Sequence, residues 1–92
     1  MQNDMEVTPE EREKILKTFF KNGKLDQMPA QMKKKIVIFE ELAKNFEMGK
    51  NYSELEVVKI LKPIYFDFAT VRRDLVDNGF LSRENGVYTR IK

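Results

Sequence analysis

Apolar positions recur at helical spacing through most of the chain and switch to alternation near its end, and this change of period divides the sequence into elements. Thr8 and Glu11 have capping-box spacing, Pro9 occupies a first helical position, and Glu10, Glu11 and Glu13 suit the positive end of a helix dipole. The pattern predicts a helix over 9–22, with Ile15, Leu16, Phe19 and Phe20 on one stripe and Asn22-Gly23 as its stop. That stripe either packs on the rest of the domain or serves as a dimerisation face. Residues 24–28 read as an extended connector or a small strand, closed by Pro29. Over 30–46, Met32, Ile36, Phe39, Ala43 and Phe46 return at spacings of four and three, with Val37 and Leu42 widening the stripe. This is the expected central core helix. Glu40 and Lys44 stand in the favourable i,i+4 order on its wet side.

The turn signal at 48–51 leaves room for one strand residue, Tyr52, before Ser53 and Glu56 repeat the capping-box spacing. The helix they open, over 54–62, is expected to bury Leu55, Val58 and Leu61 and must end before Pro63. Asp67 is the cap of a last helix, with Phe66 and Val71 spaced for a hydrophobic staple. Steps of about 100° per residue put Phe68, Val71 and Leu75 on its buried face and Thr70, Arg73, Asp74 and Asp77 outward. Arg72 flanks the apolar stripe, where its stem packs on the core and its guanidinium pairs with a carboxylate such as Glu56. Asn78-Gly79 stops the helix, and Asn85-Gly86 joins the strand-like runs 80–84 and 87–91 into a tight hairpin. The expected fold is α+β and mostly α: a winged helix-turn-helix core over 29–91, with an extra N-terminal helix and a C-terminal β-hairpin wing, all in one domain over 1–92.

Composition narrows the function more than the fold. Hydrophobic residues at 41% and charged residues at 35% describe a globular chain, not a disordered one. The acidic, polar N-terminus lacks the features of a signal peptide, and no apolar run approaches the length of a membrane span. A cytoplasmic location is expected, with no membrane partner. The absence of cysteine and histidine removes disulfides, thiolate zinc sites and the commonest acid/base groups, so neither a metal nor another cofactor is expected. Catalysis would need two carboxylates, lysines, serines or tyrosines converging in a pocket, and no motif spacing brings them together. The four glycines each sit where a helix or turn ends, outside any phosphate-cradling pattern, and the chain reads as a non-enzyme. Five basic against six acidic residues precede Pro29, and twelve against nine follow from it, a balance of −1 and then +3. This permits an anionic partner without requiring one.

Two stretches, 28–57 and 67–90, resemble the prokaryotic family catalogued as domain of unknown function 2087. The resemblance is carried by Tyr52-Ser53-Glu54 with Glu56-Val57, by Arg72-Arg73-Asp74-Leu75 with Gly79, and by Tyr88. It implies a winged-helix-like fold, found alone or attached to the C-terminal side of regulator domains. It implies a link to transcription, and it carries over no established activity and no catalytic residue. The family pattern has an asparagine after the Glu-Val pair and a leucine before the Arg-Arg pair, where this chain has Val58 and Val71. Any contact made by that asparagine is lost here, whereas the leucine-to-valine change alters only packing. Residues 1–24 lie largely outside the resemblance.

A helix-turn-helix reader lays its second helix in the major groove while the wing touches backbone or minor groove. The residues expected to meet double-stranded DNA are Thr70, Arg73, Arg83, Arg90 and the run Lys33, Lys34 and Lys35. Against this, Asp74 and Asp77 share the outward face, and consecutive lysines on a helix point in different directions. The competing expectation is an interaction or dimerisation module that pairs with itself or with another regulator through Ile15, Phe19 and Tyr65. Of the aromatic residues near the turn, only Tyr65 is expected to be partly exposed, with the phenylalanines inside. DNA binding is the favoured expectation of the two, by a narrow margin.

Overall fold

A computed structural model describes residues 6–92. It is an α+β fold with four helices and two small antiparallel sheets among the described residues. In chain order these are α1 (Pro9–Phe19), β1 (Phe20–Lys21), β2 (Lys24–Leu25), α2 (Met32–Ala43), β3 (Asn51–Ser53), α3 (Glu54–Leu61), α4 (Phe68–Asp77), β4 (Leu81–Glu84) and β5 (Val87–Arg90). No helix among the described residues is long and apolar enough to cross a membrane.

The Thr8 hydroxyl oxygen accepts from the Glu11 N–H at 3.1 Å and starts α1 as its spacing predicts. The helix stops three residues earlier than expected. Asn22 and Gly23, with φ of 53° and 78°, are the two central residues of a hairpin turn that sets Phe20 opposite Leu25. The same dipeptide can stop a helix or form a type I′ turn. Here the strand-favouring Phe20 and the buried Leu25 on either side decide for the turn.

In α2 the buried residues are Val37, Ile38, Phe39, Leu42 and Ala43. Met32 is 49% exposed and Ile38, outside the expected stripe, is fully buried. Three consecutive buried positions mean that the helix is covered from more than one side, which a single narrow stripe does not describe. Past Ala43 the backbone tightens through Lys44→Glu41, Asn45→Leu42 and Phe46→Ala43 bonds, so the helix ends three residues short of Phe46. Phe46 is nonetheless buried, edge-on to Tyr52 at 5.3 Å between ring centroids. The expected Glu40–Lys44 pair does not form: Glu40 pairs with Arg12 of α1, and Lys44 reaches Glu41 at 3.1 Å.

The capping box of α3 is complete, with Glu56 N–H donating to Ser53 Oγ at 3.1 Å and Ser53 N–H donating to Glu56 Oε1 at 2.9 Å. These bonds to Ser53 also hold the Glu56 carboxyl below the ordinary range. The buried face of α3 is Val57 and Leu61, while Leu55 is 63% exposed, contrary to its expected burial. Five of the eight residues of α3 are aliphatic, so its composition permits several stripes, and contact with α4 and β3 selects one.

At α4, Asp67 Oδ1 accepts from the Thr70 N–H at 3.4 Å, and Val71 and Leu75 are buried. The expected staple is absent: Asp67 has φ −93° and ψ 59°, not the extended backbone of an ordinary helix entry, and Phe66 is 83% exposed. Gly79 at φ 79° closes the helix, its N–H bonding to Val76 and that of Phe80 to Leu75. Asn85 and Gly86 form the hairpin turn as expected, with β5 pairing β4 on one edge and β3 on the other, in the order β3-β5-β4.

Ser53→Ala removes one half of the α3 capping box. It is expected to destabilise the fold by about 0.5–2 kcal/mol, read from the midpoint of a urea denaturation curve with its slope unchanged. An unchanged midpoint would mean that the cap adds nothing to the stability of α3.

Candidate nucleic-acid interface

A second set of contacts turns the geometry of β5 into a surface. Tyr52 lies opposite Tyr88 and Arg83 opposite Tyr88 in the two ladders, so the buried Tyr88 side chain fixes the hairpin beside the helices. The Tyr88 hydroxyl donates to Glu54 Oε1 at 3.4 Å, and Arg72 approaches the same oxygen at 3.9 Å. Arg72 thus pairs with Glu54 and not with Glu56, whose carboxylate is taken by its own cap. A shallow groove of about 270 Å³ opens here between α4 and the hairpin, lined by Glu54, Arg72, Arg73, Val76, Asp77, Arg83 and Tyr88. The Arg83 guanidinium lies 5.8 Å from the centre of the Tyr88 ring.

The groove therefore gathers three guanidinium groups and two carboxylates. Of the carboxylates, Glu54 is occupied by Arg72 and Tyr88. Among the described residues neither Arg73 nor Arg83 forms an ion pair, and both are exposed. Thr70 is exposed one turn before Arg73. Asp74, expected to face outward with Asp77, is half-buried. Burial pushes its carboxyl above the ordinary range, the charges of Asp77 and Asp67 push the same way, and Lys35 and Arg73 oppose them.

The remaining expected DNA contacts do not join this groove. Lys33 pairs with Glu11 of α1 at 3.1 Å, Lys34 lines a separate groove against α1 with Lys14 and Phe19, and Lys35 acts on Asp74. The three lysines point in different directions, as consecutive helical residues must. Arg90 is half-buried and tied to backbone, Nη1 donating to the Phe46 carbonyl at 3.0 Å and Nε to the Lys92 carbonyl at 2.9 Å. Of the residues expected in an interface between proteins, Ile15 is buried, and Phe19 and Tyr65 are half-buried against the core. Of the residues lining the groove only Arg73 and Arg83 belong to the set expected to meet DNA; Glu54, Arg72, Val76, Asp77 and Tyr88 do not. The two-residue turn at Asn85-Gly86 places Tyr88 opposite Arg83, so that much was readable; the Glu54 contact is long-range and was not.

Geometry thus defines a small α+β protein whose last helix and hairpin share a cationic groove. Residues 24–90 match the family described as an uncharacterized protein conserved in bacteria (DUF2087), and the chain belongs to that family. The match begins in β2, leaving α1 and β1 outside it. No curated protein and no solved structure matches the chain.

The raised Asp74 carboxyl has a signed consequence for stability. The folded state holds that proton more tightly than the unfolded chain, so its contribution falls as pH rises from the ordinary carboxylate range through the raised value. Asp74→Asn is expected to raise the urea midpoint at about pH 7, and the gain over the parent should shrink on acidification towards about pH 4. A gain that grows with acidification would reverse the assigned direction.

Proposed function

We propose that this chain is a winged helix-turn-helix protein that binds double-stranded DNA in bacterial transcription regulation, working in the cytoplasm. Three features support the fold reading. Helices α3 and α4 pack together across a short connection, a tight hairpin follows, and a strand before α3 completes the sheet. In this arrangement α4 is the helix that enters the major groove and β4–β5 is the wing.

The observation that carries the functional reading is the meeting of Arg73 from α4 and Arg83 from the hairpin on one groove, exposed and without ion-pair partners among the described residues. An arginine on the inserted helix can address a base edge while one on the wing holds phosphate. The half-burial of Asp74 beside Lys35 weakens the repulsion that its outward placement would create, leaving Asp77 as the exposed acidic residue of α4. The alternative, a protein-interaction or dimerisation module, draws less support because Ile15 and Phe19 are taken up in contacts within the chain.

Fluorescence anisotropy of a labelled random-sequence duplex, titrated across a salt series, tests the proposal. Affinity should fall linearly in log salt. Arg83→Ala should reduce that slope by about 1, and Arg73→Ala should weaken binding to a preferred site by about 1–3 kcal/mol. Absence of binding at low salt would reject the proposal, and a solution mass showing a dimer would then favour the interaction module.

A further inference from the structure

The most exposed large apolar side chain of the described residues is Phe66, at 83%, immediately before the Asp67 cap of α4. An isolated phenylalanine so placed on a flexible tip would mean little. This one sits on a fixed turn. The Ile64 and Tyr65 N–H groups bond to the Leu61 carbonyl at 2.9 and 3.0 Å, and the Leu25 N–H bonds to the Ile64 carbonyl at 2.8 Å, pinning the turn from the other side. The Tyr65 ring, itself half-buried against the core, lies 4.9 Å from the Phe66 ring at an interplanar angle of 54°. Phe66 is therefore buttressed outward, and the next exposed side chains along α4 are Ala69 and Thr70, each carrying a methyl group, the threonine beside its hydroxyl, followed by Arg73.

We infer that Phe66 is a specificity-determining residue that packs against the 5-methyl group of thymine in the major groove, with the methyls of Ala69 and Thr70 extending the same apolar strip. The inference rests on the DNA-binding reading given above. In a major groove the thymine methyl is the apolar feature that distinguishes a base pair, and alanine, threonine methyl and phenylalanine are the side chains that recognise it. An inserted helix makes its base contacts with its N-terminal residues, which is where this strip lies, upstream of the arginine. The preference it creates is for sites rich in A·T pairs, set by a missing or present methyl and independent of phosphate charge.

Replacing thymine by deoxyuridine removes the methyl while keeping charge and pairing, so two mixed-sequence duplexes of A and T or of A and U isolate the contact. By anisotropy the unmodified protein should bind the thymine duplex about fourfold more tightly for each methyl buried, the value of one methylene transferred from water. Phe66→Ala, at a position so exposed that the fold should not depend on it, should lose most of the thymine preference and keep only the share contributed by Ala69 and Thr70, with the salt slope unchanged. Salt-dependent binding by the unmodified protein without a thymine preference would overturn the inference and leave the DNA reading standing. An undiminished preference in Phe66→Ala would overturn the role of Phe66. Absence of binding to either duplex would overturn both, and would assign the exposed ring to some other contact.

Discussion

The pairing of β5 with β3 is the constraint on which the rest depends. A two-residue turn can build the β4–β5 hairpin by itself, but an isolated hairpin is marginal in water and free to swing. With Tyr52 opposite Tyr88, β5 becomes a middle strand, and the hairpin acquires a fixed position relative to the helices. Tyr88 is buried and its hydroxyl reaches Glu54 at the start of α3, while Arg90 two residues on donates to the Phe46 carbonyl beyond α2. The ladder thus joins the end of α2, the start of α3 and the hairpin. With that junction closed, Arg73 of α4 and Arg83 of β4 line the same groove.

Charge is sorted by the same packing. Arg12 and Lys33 pair with Glu40 and Glu11 across the α1–α2 contact, and Arg72 turns to Glu54. Exposed pairs of this kind contribute roughly 0–1 kcal/mol each to stability, so their importance lies elsewhere. They commit Arg12, Lys33 and Arg72 to local partners, while Arg73 and Arg83 face solvent. The result is a weakly cationic groove on a chain whose net charge is only +2, and such a surface depends on where a few arginines stand more than on bulk charge.

The local signals were legible and the long-range ones were not. The caps at Thr8, Ser53 and Asp67 and the turn at Asn85-Gly86 follow from residue types within a few positions, and each forms as its spacing predicts. Asn22-Gly23 shows the limit of such a signal, because a helix stop and a hairpin turn use the same dipeptide. The buried faces of α2 and α3 needed knowledge of what covers them, and so Ile38 and Val57 were missed while Met32 and Leu55 were wrongly placed inside. Arg72 is paired as expected, but with Glu54 in place of Glu56, whose carboxylate the Ser53 capping box already occupies. Phe66 was the largest departure. Its position suggested a staple, and the backbone at Asp67 turned it to solvent.

In the proposed function α4 and the hairpin together form one DNA-binding face. Amide chemical shifts of the isotopically labelled protein, followed during titration with a duplex, test it most directly. The shifts should concentrate at Thr70, Arg73 and Arg83, with those of α1 unchanged. Shifts confined to α1, or a spectrum that does not respond to DNA at low salt, would contradict it.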